Sequence, residues 1–184
     1  MEIKIAITGE IRSGKDTVTE YIQDTNWGLN MKKLYFAEGI ESIIRTYLPE
    51  AYEGNAKPRK HFQEVGQYMR EVNVDVWVNY VERKYKYLQS KGITNFICTD
   101  LRQFNEYDWL KANGFTIIKV ETDSEIRIER MKASGDKFDA QSLVHPVEMK
   151  IRSLKYDYLI TNNTTLEDLY AQVDNVLDEL KGGF

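Results

Sequence analysis

Cysteine, proline and long apolar runs are all scarce in this sequence, and each shortage excludes a class of protein. The one cysteine, Cys98, can form neither an intramolecular disulfide nor a cysteine-cluster metal site, so we expect a reducing compartment. No run approaches the roughly 20 apolar residues of a membrane span, and residues 1–10 lack the apolar core of an export signal. We therefore expect a soluble, cytoplasmic protein.

Excess charge of one sign is also absent. The 25 lysine and arginine residues and the 29 aspartate and glutamate residues leave a net charge of −4, so no basic field covers the whole molecule to bind nucleic acid through its phosphates. Hydrophobic residues make up 42% of the chain, which suffices for an ordered core. A length of 184 residues without a proline- or glycine-rich linker predicts one domain, residues 1–184.

Short β-rich runs alternate with helical patterns along the chain. The five runs are residues 3–7, 34–36, 96–99, 116–120 and 158–161. Strands separated by helices predict an α/β fold with a parallel sheet. Two stretches, 38–90 and 121–155, are longer than one crossover helix requires. Such excursions are either lids and substrate-binding regions or plain covers of the sheet.

Apolar residues recur at helical spacing in three places. The three stripes are Phe62, Val65, Met69 and Val72; Trp77, Val81, Tyr85 and Leu88; and Leu166, Leu169, Val173, Val176 and Leu180. Thr165 is the predicted N-cap of the last helix, with Asp168 completing the pattern. Trp77 fits a buried stripe, although an aromatic side chain such as Trp77 or Phe36 could instead stack on a base.

The strongest local signal is a glycine-containing segment after the first run. Residues 9–17 read Gly-Glu-Ile-Arg-Ser-Gly-Lys-Asp-Thr and open a helical pattern, which is the context of a phosphate-binding loop. Gly9 and Gly14 let backbone N–H groups turn toward phosphate oxygens, and the helix N-terminus adds positive potential. Lys15 adds a mobile charge for the β- and γ-phosphates. The alternative is a turn with an acidic helix start and no ligand.

Asp16 departs from the usual phosphate loop, which has serine or threonine directly after the lysine to bind Mg²⁺. The nearest hydroxyl belongs to Thr17, and a one-residue step turns a helical side chain by about 100°. Thr17 therefore cannot simply replace the missing group, whereas Asp16 is itself a good ligand for Mg²⁺, directly or through water. Asp100 directly follows the third run, where nucleotide-bound Mg²⁺ is often held. The candidate metal ligands are thus Asp16, Thr17 and Asp100.

Arginine side chains supply further candidate phosphate ligands. The planar guanidinium of Arg102 can neutralise a phosphate, or it can pair with Asp100 at the surface. Arg70 lies on the polar side of the helix predicted around residues 62–72. Arg127 and Arg130 belong to the excursion 121–155, where they either stabilise charge under a closing lid or lie on a solvated helix.

These motifs together resemble the phage-type deoxynucleoside monophosphate kinases. Animal-type phosphomevalonate kinases have a similar Gly-Lys-Asp loop, and dephospho-coenzyme A kinases are more distant. The matching segments, in chain order, are residues 9–17, 35–37, 63–78, 99–106, 145–148 and 156–169. The Gly-Lys-Asp variant combined with Thr-Asp-Leu-Arg and Asn-Asn-Thr-Thr-Leu is more specific than the phosphate loop alone.

The resemblance implies a three-layer P-loop fold like that of adenylate kinase, with five parallel strands, a monophosphate-binding excursion at 38–90 and a lid at 121–155. It implies transfer of the γ-phosphoryl group of MgATP to a deoxynucleoside monophosphate. The implied catalytic residues are Lys15, Arg70, Arg102 and Arg130. The implied ATP ligands are Gly9, Arg12, Ser13, Gly14, Lys15, Asp16, Thr17, Arg127, Asn162 and Asn163. Arg70 and Arg102 would hold the acceptor phosphate, Arg127 or Arg130 would be the lid arginine, and Asn162 and Asn163 would lie near adenine.

Two alternatives to that reaction stay open at this point. One is a kinase for another phosphorylated small molecule, such as dephospho-coenzyme A or phosphomevalonate. The other is a P-loop ATPase that acts as a switch without a small acceptor. We expect the protein to bind neither nucleic acid nor a membrane. The sequence leaves open whether it forms a homodimer.

Overall fold

The computed structural model describes residues 2–24, 29–53, 58–133 and 146–182 of the chain. The chain divides into two compact units. The sheet unit comprises Met1–Lys33 and Thr94–Phe184, and the helical unit comprises Leu34–Ile93. The helical unit contains the stretch 38–90 that the sequence analysis set apart.

Five strands form one sheet, in the order β2-β3-β1-β4-β5. The strands are β1 (Lys4–Thr8), β2 (Lys32–Leu34), β3 (Phe96–Cys98), β4 (Thr116–Glu121) and β5 (Tyr158–Thr161). β1 pairs in parallel with both β3 and β4, and β4 pairs in parallel with β5. The predicted five-stranded α/β sheet is confirmed. Because β1 is central, the loops after β1, β3 and β4 emerge side by side at one edge, where ligands bind in open α/β sheets.

Burial explains which runs were easy to predict. Residues 5–7 of β1 and residues 117–120 of β4 are buried, and strands covered on both faces are near-continuous apolar runs. The second run was predicted two residues too late, because β2 covers Lys32–Leu34 and Phe36 follows it. Only Leu34 is buried in β2, since an edge strand tolerates exposed lysines that carry no apolar signal.

Within the described residues, the sheet unit also contains five helices. They are α1 (Lys15–Asp24), α5 (Phe104–Ala112), α6 (Ser124–Ala133), α7 (Pro146–Ser153) and α8 (Leu166–Gly182). Apolar residues of α1 and α8 pack on β1 and β4 in one core, which includes Val18, Ile22, Leu169 and Val173. The predicted N-cap of α8 is confirmed, because the Asp168 N–H donates to Thr165 Oγ1 at 3.2 Å.

The helical unit contains α2 (Glu38–Tyr47), a 3-10 turn (Pro49–Tyr52), α3 (Arg59–Val72) and α4 (Val76–Ser90). The predicted stripe of α4 is confirmed in part, since Trp77, Val81 and Tyr85 are buried and Leu88 is half-buried. The Trp77 indole N–H donates to the carbonyl of Gly66 at 3.2 Å.

The helix predicted around residues 62–72 is confirmed as α3, but its apolar stripe is not a buried face. Of its four residues, Val72 is exposed and the others are only half-buried, whereas Gly66 is buried. A Cβ at Gly66 would lie 3.0 Å from the Ile40 side chain, so close approach at a glycine decides which face of α3 packs. Base stacking is also excluded for Trp77 and Phe36, which are only 3% and 2% exposed. Among the described helices, none has the length and apolar character to cross a membrane.

Candidate active site

The loop between β1 and α1 is shaped by two glycines. Gly9 has φ +154° and Gly14 has φ +98°, conformations that side chains rarely adopt. A Cβ at Gly9 would overlap the carbonyl oxygen of Val120, and one at Gly14 would overlap the side-chain amide of Asn162. Space and backbone conformation therefore both require glycine at these two positions.

Ser13 contributes a buried hydroxyl group to the loop. Its side chain is buried, and its hydroxyl has no hydrogen-bond partner among the described residues. Its carbonyl, by contrast, accepts from the Thr122 hydroxyl at 2.8 Å and from the Asn162 amide at 2.9 Å. Buried hydroxyl groups are normally paired, so an unpaired one in a glycine-bounded loop at a helix N-terminus fits an anionic ligand such as phosphate.

Lys15 lies back over the loop that precedes it. Its Nζ donates to the carbonyl of Glu10 at 2.9 Å. Burial, and next the positive charge of Arg102, lower the pKa of Lys15 from 10.5 to about 8. The carboxylates of Asp16 and Glu148 act in the opposite direction. Burial is thus the main reason that the charged form of Lys15 is disfavoured, and a bound phosphate would favour that form.

The loop after β3 carries the next two candidates. Asp100 is half-buried two residues beyond the strand, and Arg102 is exposed. The backbone N–H of Arg102 donates to Glu106 Oε2 at 2.9 Å, while its guanidinium forms no hydrogen bond or ion pair with the described residues. The Thr8 hydroxyl donates to the carbonyl of Leu101 at 3.0 Å, which fixes this loop to the end of the central strand.

Metal ligands are few at this edge of the sheet. Asp16 is exposed in the first turn of α1, with Thr17 half-buried beside it. The described residues contain no group of three or more histidine, cysteine, aspartate or glutamate side chains that could hold a metal ion. The Asp16 carboxylate and the Thr17 hydroxyl are oxygen donors, which is the ligand type that Mg²⁺ takes.

Arg127 supports the phosphate loop from α6. It is 3% exposed, so the solvated-helix alternative was wrong for this residue. Its Nε donates to the Thr122 carbonyl at 3.2 Å, and its two terminal nitrogens contact the Ile11 carbonyl at 3.5 Å and Glu10 Oε1 at 3.2 Å. All three guanidinium nitrogens are therefore already bonded to the protein.

Arg130, one turn further along α6, contacts the end of β5. Its guanidinium donates to the Asn162 carbonyl at 3.1 Å and lies 3.5 Å from the Arg12 carbonyl. The buried Asn162 side chain faces the loop through Ser13, whereas Asn163 is exposed and accepts from the Asp123 backbone N–H at 2.9 Å. The structure thus brings Arg130 and Asn162 together with the phosphate loop.

Sequence reasoning missed the acidic contacts of the loop. Glu148 is 5% exposed in the first turn of α7, and its Oε2 accepts the Ile11 N–H at 3.0 Å. Glu10 Oε1 accepts from Arg152 Nε of the same helix at 2.8 Å. Glu148 lay inside a motif that carried the family resemblance, but nothing in the spacing assigned it a partner.

The structure describes Arg70 in full and the predicted lid only in part. Arg70 lies half-buried in the last turn of α3, in the helical unit. A Cβ at Gly66 would come within 3.3 Å of the Arg70 guanidinium, so Arg70 runs along the face through which α3 packs. The lid predicted at 121–155 includes residues 134–145, which lie outside the described residues.

Comparison with known proteins gives the family context. The sequence profile described as deoxynucleotide monophosphate kinase matches residues 59–173. A protein assigned as a deoxynucleotide monophosphate kinase in Acanthamoeba polyphaga mimivirus is 24% identical over 203 residues, covering 96% of both chains. The deoxynucleotide monophosphate kinase of Escherichia phage RB69 is 26% identical over 189 residues, covering 84% of this chain and 72% of the phage protein.

A solved structure agrees on the fold. The dephospho-CoA kinase from Campylobacter jejuni superposes with a TM-score of 0.57 at 18% identity, over 100% of both chains. At that identity the likeness shows the architecture of a P-loop kinase and carries no information about the acceptor.

Proposed function

The chain belongs to the deoxynucleotide monophosphate kinase family, and from this premise we propose that it transfers the γ-phosphoryl group of MgATP to the phosphate of a deoxynucleoside monophosphate. The observation that carries the proposal is the phosphate loop. Gly9 and Gly14 open its backbone, and the buried hydroxyl of Ser13 lacks a partner within the described residues. Lys15 and Arg102 place positive charge beside it.

Charge neutralisation is the main task in this reaction, because phosphoryl transfer needs little covalent help from the protein. The loop N–H groups and the N-terminus of α1 would bind the β- and γ-phosphates. Lys15 would leave the Glu10 carbonyl for a phosphate oxygen, and Arg102 would neutralise charge developing on the transferred group.

Mg²⁺ fits the donors at this edge of the sheet. Asp16 and Asp100 would hold the ion, directly or through water, with Thr17 a weaker candidate. When bound, the ion would neutralise part of the charge on the β- and γ-phosphates. The proposal needs no further protein ligands, because ATP and water complete the shell of such an ion.

Arg70 and Arg102 are the proposed ligands of the acceptor phosphate. The stretch 38–90 is the proposed monophosphate-binding region. Within α6, Arg130 is a better candidate for contact with ATP than Arg127, whose nitrogens are all bonded to the protein. Asn162 and Asn163 stay candidates for the adenine side of the site. A single catalytic domain in the cytoplasm completes the proposal.

The test is a coupled assay of ADP release with MgATP and a panel of acceptors. The panel contains dTMP, dGMP, dCMP, dAMP, modified pyrimidine monophosphates, dephospho-coenzyme A and phosphomevalonate. We expect at least one deoxynucleotide to raise ADP release well above the rate with ATP alone. Stimulation by dephospho-coenzyme A or phosphomevalonate only would keep the phosphate chemistry and discard the nucleotide acceptor.

A further inference from the structure

One contact of the phosphate loop comes from a helix far away in sequence. Glu148, in the first turn of α7, accepts the backbone N–H of Ile11 at 3.0 Å, although 137 positions separate the two residues. The carboxylate is buried, with 5% of the residue exposed. Burying a carboxylate costs free energy unless the group is paired. We therefore examine what the bond between Glu148 and the Ile11 N–H does for the loop.

The same helix holds the neighbouring loop residue as well. Arg152 donates from Nε to Glu10 Oε1 at 2.8 Å, and Arg127 of α6 contacts the same oxygen at 3.2 Å. α7 therefore binds two consecutive residues of the loop, one through its backbone and one through its side chain. Ile151 of α7 is itself completely buried, so the helix is anchored in the core of the sheet unit and can act as a fixed support.

The loop needs such a support just after these two residues. Arg12, which follows Ile11, has φ +60° although it is not glycine. Backbone in this region persists only where surrounding contacts hold it. Directly after Arg12, the Ser13 N–H donates to the Glu10 carbonyl at 3.2 Å, and α1 begins at Lys15. An error in the position of Ile11 would therefore be carried into the phosphate-binding part of the loop.

We propose that Glu148 is a positioning residue of the phosphate loop, which holds the Ile11 N–H so that the following N–H groups are aligned for the phosphates of the nucleotide. Glu148 does not touch the substrate in this arrangement; it acts through the backbone at residue 11. The inference rests on the proposed function for the identity of the ligand, but the contact itself can be tested without any turnover.

The experiment compares Glu148→Ala and Glu148→Gln with the matched control Glu129→Ala, which removes an exposed glutamate of α6. Amide hydrogen exchange of Ile11 is measured by NMR on the nucleotide-free protein. The KM for ATP, the KM for the acceptor and kcat are measured in parallel, with the melting temperature as a check of folding. Glutamine keeps an oxygen that can accept the Ile11 N–H, whereas alanine does not.

In Glu148→Ala we expect Ile11 exchange and the KM for ATP each to rise about tenfold, as for the loss of one charge-assisted hydrogen bond. The KM for the acceptor should stay within about twofold, because the bond orders only the nucleotide loop. Glu148→Gln should restore both values to within about threefold of wild type, since a neutral acceptor forms a weaker bond. Glu129→Ala should match wild type.

Two results would overturn the proposal. A folded Glu148→Ala protein with unchanged Ile11 exchange and an unchanged KM for ATP would make the contact merely structural. A Glu148→Gln protein as impaired as Glu148→Ala would mean that the charge near Lys15 matters instead of the bond to Ile11. If Glu148→Ala does not fold, Glu148→Asp, whose shorter side chain retracts the carboxylate, takes its place. If wild type phosphorylates no acceptor, Ile11 exchange and the affinity for MgATP still decide the role of Glu148.

Discussion

The protein should become more stable when Lys15 is replaced by an uncharged residue. The folded structure lowers the pKa of Lys15 from 10.5 to about 8, so the native state disfavours the charged form. A shift of about 2.5 units corresponds to a cost of about 3 kcal/mol at pH 7. Lys15→Met removes this charge and keeps a side chain of similar length. It also removes the bond to the Glu10 carbonyl, worth about 1 kcal/mol, which leaves a net gain of about 2 kcal/mol.

The gain in unfolding free energy from Lys15→Met should become smaller as the pH rises above 8. Since the pKa of Lys15 is lower in the folded state than in the unfolded state, the native state loses its proton first. The penalty is complete below pH 8 and disappears as the pH rises from 8 through 10.5. The difference in unfolding free energy between Lys15→Met and wild type should therefore be about 2 kcal/mol larger at pH 7 than at pH 9.5.

The assay is urea unfolding at both pH values, in EDTA and without nucleotide, so that no ligand or metal contributes. The control is Lys132→Met, which removes an exposed lysine of α6 and should change stability by less than about 0.5 kcal/mol. The kcat of Lys15→Met should fall at least about 100-fold, because a contact to transition-state charge is lost. A destabilised variant, or a stability difference that is the same at pH 7 and pH 9.5, would refute the reasoning.

Three further predictions concern the remaining candidates. Arg70→Ala should mainly raise the KM for the acceptor, whereas Arg102→Ala should also lower kcat, since Arg102 is proposed to neutralise charge on the transferred group; unchanged kinetics in both variants would contradict both phosphate-binding roles. Asp16→Ala should raise the Mg²⁺ concentration for half-maximal rate, and an unshifted titration would reduce Asp16 to a helix-start charge. Gly14→Ala should lower the affinity for ATP at least about tenfold, because its Cβ would overlap the Asn162 amide; calorimetry with wild-type affinity would contradict this.

The sequence predicted those features whose residues lie close together along the chain. The phosphate loop was recognisable because Gly9, Gly14 and Lys15 are close in the chain and each is required by backbone geometry or charge. The buried strands β1 and β4 were recognisable as apolar runs. The same reasoning misplaced β2, whose Lys32 and Lys33 are exposed at the sheet edge.

Contacts between distant segments could not be predicted in this way. Arg127 and Glu148 reach Ile11 over 116 and 137 positions, and no periodicity records such a pairing. The sequence indicated a charged stretch at 121–155 and left open whether it was solvated. Burial decides that question, and burial of a charged side chain follows only from the packing of α6 and α7 around the loop. The sequence likewise did not reveal that α3 packs through Gly66.

The central claim is that the γ-phosphoryl group of ATP is transferred to a deoxynucleoside monophosphate, and γ-labelled ATP tests it most directly. The wild-type protein is incubated with the labelled ATP, Mg²⁺ and the most stimulating acceptor, and the products are separated. We predict that the label appears in the deoxynucleoside diphosphate, in step with ADP formation. Label found only in inorganic phosphate, at a rate independent of the acceptor, would contradict the account and favour an ATPase that acts as a switch.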